Sequence, residues 1–173
     1  MRNLILSSLL ATGLIGTSAG VAVAQSSMAT EPPTIGTVQT MTVSPKDMAA
    51  LKAATSHYLE SALGDEKAFY ASLTPDYVGV GISGKTYSPG SVYGAVQVLK
   101  QPLAGVVTRV KVIDAHHLGD QFDETALIGG TADTIDSAGP RSVSATWVHK
   151  ITFKRDADGT LKVQRDQVLQ KIM

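Results

Sequence analysis

Few side chains in this 173-residue sequence stand in an arrangement that suggests chemistry. His116 and His117 are adjacent, inside a run that alternates like a strand. Neighbouring strand side chains point to opposite faces, so this pair cannot chelate one ion. His116 needs a cross-strand partner for that, and His149 is the candidate. With no cysteine and no obvious third ligand, neither a metal nor any other cofactor is expected. Asp114 shares the parity of His116, and of Val110 and Val112, which is the more apolar parity and is expected to look inward. An inward Asp–His pair can work as acid and base. It can also simply satisfy its own hydrogen bonds within the core, which is the simpler expectation. His149 alternates with Trp147, Ile151 and Phe153, again the apolar parity. Polar groups set among apolar walls suit a pocket for a small hydrophobic ligand. Tyr58, Tyr77 and Tyr93 come from the covering elements and supply packing area, with hydroxyls able to reach such a pocket.

Other motifs read as scaffold. Asp156-Ala157-Asp158-Gly159 imitates the start of a calcium loop but lacks the downstream Glu, and is a hairpin turn. Gly79, Gly81 and Gly84 are not followed by the Gly-Lys-Ser/Thr run of a phosphate loop. Ser142 and Ser144 have no nucleophile-elbow context. Lys and Arg total 15, against 15 Asp and Glu, which excludes a strongly basic nucleic-acid binder. The absence of cysteine excludes a disulfide scaffold and a thiol nucleophile.

The elements that position these residues follow from periodicity and punctuation. Ser44-Pro45-Lys46-Asp47 opens a helix, with Ser44 as cap, Pro45 at the first position and Asp47 at the positive end of the dipole. Met48, Leu51, Ala54, Tyr58, Leu59, Ala62 and Leu63 recur at helical spacing before Gly64 ends the run. A shorter helix is expected over 65–73, a strand over 77–81 and a third helix over 89–99. Four strands then follow at 106–117, 124–135, 142–155 and 160–171, the last two joined by the 156–159 turn. Helices followed by an antiparallel meander make an α+β domain.

The start of the chain reads as an address. Met1-Arg2-Asn3, an apolar run from Leu4 to Ile15 and the closing Ala22-Val23-Ala24 have the three parts of a secretory signal. Cleavage after Ala24 leaves about 149 residues with a net charge of about −1, since Arg2 is lost. Residues 25–43 read as a flexible leader and 44–173 as the domain. The mature product is expected to be periplasmic or secreted, with no membrane span remaining and no nucleic-acid partner.

Three local motifs occur in order: His57-Tyr58-Leu59-Glu60-Ser61-Ala62-Leu63-Gly64-Asp65, Phe69-Tyr70-Ala71-Ser72-Leu73-Thr74-Pro75-Asp76-Tyr77, and Thr146-Trp147-Val148-His149-Lys150-Ile151-Thr152-Phe153-Lys154-Arg155-Asp156 with Gly159 and Leu161-Lys162-Val163. The ordered set resembles the nuclear transport factor 2-like (NTF2-like) superfamily, which includes ketosteroid isomerase-like and SnoaL-like proteins. The resemblance is closest to small exported members with no assigned activity, and it covers residues 45–172. It implies a cone-shaped fold: three N-terminal helices packed on a curved antiparallel sheet. It also implies positions for catalysis. The family's acid falls at about Gly81, and its helix-one tyrosine falls at His57, with Tyr58 adjacent.

A glycine at the acid position favours non-catalytic binding of a small hydrophobic ligand or a protein partner. The competing expectation is a SnoaL-like or isomerase-like enzyme acting on a carbonyl or polyketide-type molecule through Asp114 or His116. Val107, Ile113, Ala126, Ile128, Ala132 and Val148 are expected on the outer sheet face, where members of this superfamily often form homodimers, so a homodimer through that face is expected here.

Overall fold

The computed structural model describes residues 41–134, 139 and 141–172. The segments read as signal (1–24) and, up to residue 40, as leader lie outside the described residues. Ten elements follow in order: β1 (Met41–Thr42), α1 (Pro45–Gly64), α2 (Glu66–Ala71), β2 (Leu73–Val80), β3 (Thr86–Tyr87), α3 (Pro89–Lys100), β4 (Leu103–Leu118), β5 (Gln121–Thr134), β6 (Ser142–Arg155) and β7 (Leu161–Ile172). Among these residues no helix is long and apolar enough to cross a membrane.

Helix α1 begins as its capping residues dictate. The Ser44 hydroxyl accepts the Asp47 amide at 3.1 Å, and Pro45 occupies the first turn. Asp65 ends α1 and caps α2, its carboxylate accepting the Ala68 amide at 2.9 Å. Leu51, Thr55, Tyr58 and Ala62 are the buried stripe of α1, spaced four, three and four residues apart. That stripe lies on the inner face of the sheet.

The sheet has seven strands in the order β1-β4-β5-β6-β7-β2-β3. The long strands β4 to β7 form the expected antiparallel meander. Three features depart from the sequence reading. The two-residue β3, paired with β2, has no counterpart in it. Strand β2 begins at Leu73, well before the expected 77, and runs parallel to β7. Met41–Thr42, at the end of the segment read as leader, pairs antiparallel with His117 and His116, and Val43 is buried. Two residues are too short for a periodicity signal, and a parallel partner cannot be read from one strand alone.

Phe69, Phe153, Leu51, Ile151 and Val163 fill the space between α1 and the sheet. At the turn end of the meander, Phe122 lies between the His117 ring (5.6 Å) and the Arg155 guanidinium (4.8 Å). Arg155 also pairs with Asp47 at 2.5 Å, tying the first turn of α1 to β6.

Candidate functional site

Four polar side chains from four elements meet under α1. Tyr58 comes from the buried stripe of α1, Tyr77 from β2, His149 from β6 and Asp166 from β7. The Tyr58 hydroxyl donates to Asp166 Oδ2 at 3.0 Å. Its single proton is then used, so at 2.9 Å it accepts from the Tyr77 hydroxyl. Asp166 Oδ1 lies 2.7 Å from His149 Nδ1. The tyrosines and Asp166 are buried, and the His149 side chain, 12% exposed, is the least enclosed. Burial, then the neighbouring Asp166 carboxylate, pushes both phenols far above their ordinary range. Both therefore stay neutral donors.

An ionised Asp166 is an acceptor only, so Nδ1 of a neutral His149 carries the proton and Nε2 keeps its lone pair. The ring is held in one tautomer with one nitrogen available, the arrangement a proton acceptor needs.

A second buried acid sits beside this network. Glu124 is fully buried on β5, in one cross-strand row with Ile151 and Asp166. Thr55, one helical turn before Tyr58, donates to Glu124 Oε1 at 2.8 Å, and Oε2 has no partner. Burial pushes its carboxyl up to about 7, against the smaller opposite pull of the Thr55 hydrogen bond.

Tyr58, Tyr77 and His149 are thus brought together as ligand-pocket candidates, joined by an Asp that the sequence reading missed. Trp147 is half-buried on the same inner face, opposite Ile128. Tyr93 packs its ring on Phe69 at 5.4 Å.

Asp114 and His116 are the correction. They bond to each other at 2.9 Å, but their side chains are 57% and 49% exposed on the outer side. A register shift between Val112 and Asp114 inserts one extra residue and reverses the alternation. Val110 and Val112 face inward as expected; beyond the bulge Ala115 and His117 do so instead. An enzyme working through Asp114 or His116 inside the cone is therefore overturned.

The outer-face reading needs a similar correction. Ala126, Ile128 and Ala132 are buried on the inner face, paired with His149, Trp147 and Val143. Val107 and Ile113 are exposed, as expected.

Two further positions settle locally. On α1, Tyr58 is buried in the network, while the adjacent His57 is exposed. At Gly81, a Cβ would lie 3.1 Å from the Tyr87 ring, so the tyrosine occupies the space a side chain there would need.

The inner face of β6 opens gradually. Phe153 and Ile151 are fully buried, His149 and Trp147 partly exposed, and Val143 is 40% exposed. His149 stands where the packed interior gives way to the open end of the sheet. Two surface cavities among the described residues, of about 460 and 310 Å³, lie elsewhere and are lined by none of the seven candidates.

No family model matches this sequence, and no curated protein matches it. Solved structures do. An NTF2-like protein from Cytophaga hutchinsonii aligns with a TM-score of 0.53 at 17% identity, over 73% of this chain and 98% of its own. The chain has the NTF2-like fold. A ketosteroid isomerase-like protein from Erwinia carotovora aligns at 0.57 and 16% identity, over 75% of this chain and 99% of that one. A hexachlorocyclohexane dehydrochlorinase from Novosphingobium barchaimii aligns at 0.58 and 14% identity, over 74% and 88%. The architecture expected from the ordered motifs is therefore present: an NTF2-like α+β domain with its helices on a curved sheet.

Proposed function

We propose that this NTF2-like domain is an exported enzyme that moves a proton on a small apolar molecule, with His149 as acceptor and Asp166 as its positioning residue. The observation that carries the reading is the 2.7 Å contact between His149 Nδ1 and Asp166, made at the boundary between packed interior and open sheet end. The half-buried Trp147 offers an apolar surface beside it. Structural neighbours named for isomerase-like and dehydrochlorinase proteins support proton abstraction from carbon as the reaction class. His149 takes a proton from an activated C–H bond. The electron pair left behind then either shifts a double bond, with His149 returning the proton at the far carbon, or expels a leaving group from the neighbouring carbon as an anion while His149 keeps the proton for release to water. Tyr58 and Tyr77 hold Asp166 in place.

The fully packed residues Leu51, Phe69, Ile151 and Phe153 favour a second reading. In it the same open end binds a small hydrophobic molecule without reaction.

The two readings separate in one experiment. The protein is incubated in D2O with a β,γ-unsaturated ketosteroid, a β-hydroxy ketone and hexachlorocyclohexane, and each is followed by NMR. Turnover or deuterium uptake is expected for at least one probe, falling by about 10²–10⁴ in His149→Gln. Equal rates for wild type and His149→Gln refute the catalytic role. Binding of a probe with neither turnover nor deuterium uptake selects the second reading.

A further inference from the structure

A separate feature lies beside the first turns of α1, along the edge strand β4. Strand β4 is bonded to β5 along one edge from Leu103 to Leu118. Along its other edge, among the described residues, only His116 and His117 are paired, by the two residues of β1. Register shifts at Ala104/Val107 and Val112/Asp114 bracket a regular stretch, 107–112, whose outward N–H and C=O groups have no strand beside them. A groove of about 460 Å³ runs along this stretch. Met48, Ala49 and Lys52 of α1 form one wall, and Val110, Lys111 and Val112 of β4 form the other. The lining holds two lysines and no carboxylate.

A second copy of this chain fits the edge poorly in the registers centred on 109, 110 and 111, which pair most of the stretch. Two-fold antiparallel pairing of β4 with itself places residues of one face directly opposite each other. Centred on residue 109, it sets Arg109 against Arg109; centred on 110, Arg109 against Lys111, twice; centred on 111, Lys111 against Lys111. Both side chains are exposed on the outer face, and like charges directly opposite are destabilising. The charges that oppose self-pairing select the opposite sign. β1 shows that this edge accepts an antiparallel strand.

We propose that the 107–112 edge of β4 docks an extended acidic segment of a partner protein, added as an antiparallel strand. Its alternate apolar side chains enter the groove against Met48, Ala49, Val110 and Val112. Its acidic side chains face Arg109 and Lys111 on the outer surface. Main-chain hydrogen bonds supply affinity and the alternation supplies selectivity. The inference goes beyond the proton-transfer reading and does not depend on it.

The test uses an acetylated heptapeptide of alternating Glu and Val, titrated into the whole protein at low salt and followed by amide NMR shifts and calorimetry. Saturable binding with shifts along 107–112 is expected. Affinity should fall about tenfold or more for a Lys–Val peptide, and likewise for a Glu–Val peptide N-methylated at the residues that bond β4. In the exposed double variant Arg109→Glu/Lys111→Glu the preference should reverse to the Lys–Val peptide. Equal binding of both peptides, no binding, or an N-methylated peptide as tight as its parent overturns the proposal. So does dodecanoate occupying the groove while the peptide does not. Dimerisation lost in the double variant names a second copy as occupant instead. Slow amide exchange along 107–112 in the free protein names the chain's own N-terminal segment.

Discussion

Glu124→Gln isolates the energetic consequence of burying a carboxyl under α1. The wild-type side chain is fully buried, and its carboxyl is raised from 4.5 to about 7. Below pH 4.5 folded and unfolded chains both hold the proton, and this residue adds no pH dependence. Between pH 4.5 and about 7 the unfolded chain releases the proton while the folded chain keeps it. The folded state then binds more protons, so stability falls as pH rises. Above about 7 both states are ionised and the loss is complete. The interval is about 2.5 pH units, and at about 1.4 kcal/mol per unit the loss is about 3 kcal/mol. Gln keeps an oxygen for the Thr55 hydroxyl and cannot ionise. It places an amide NH2 where Oε2 has no partner, at a constant cost of about 1–3 kcal/mol. Urea unfolding of both proteins at pH 4.5, 6 and 7.5 gives the difference in stability, in which the other titrating groups cancel. That difference should move in favour of Gln by about 3 kcal/mol from the lowest pH to the highest, or about 10 °C in Tm. A difference that stays constant with pH refutes the reasoning, because Glu124 would then ionise equally readily in both states.

Two further substitutions probe the packing around the candidate site. Tyr58→Phe removes the hydroxyl that links Tyr77 to Asp166, leaving two buried groups short of a partner. Urea unfolding should show a loss of about 1–3 kcal/mol, and a change under about 0.5 kcal/mol would contradict the network. Gly79→Ala places a Cβ 2.7 Å from Val92 Cγ2 and 3.3 Å from the Tyr77 hydroxyl. Overpacking there should cost about 1–3 kcal/mol by the same measurement, and a neutral result would mean that α3 yields freely at Val92.

Local chemistry was enough to read most of the scaffold. Ser44, Pro45 and Asp47 mark the start of α1 through their own backbone preferences, and the strand over 142–155 matches β6 at both ends. The stripe of α1 that carries Tyr58 follows from helical period alone. So does the inward parity of Trp147, His149, Ile151 and Phe153, because β6 alternates regularly through that stretch.

The site itself was only partly legible. Glu124 alternates with Phe122, Ala126 and Ile128, but the sequence reading placed that parity on the outer face, so the buried acid was missed. Asp166 was hidden: the shift between Thr152/Phe153 in the β6–β7 register breaks the alternation between Val163 and Asp166. The same device on β4 turned Asp114 and His116 outward. Period-two reasoning survives only while every residue has one partner, and one inserted residue exchanges the two faces.

Sequence alone determined the helices, the four long strands, the cap of α1 and the α+β order, because each depends on neighbours within a few residues. The tertiary structure decided which acid meets His149, because that depends on where bulges fall between strands. It also decided that β2 lies parallel to β7 and that, among the described residues, no strand pairs with the outer edge of 107–112 in β4. Such pairings join residues far apart in the chain, and no local preference encodes them.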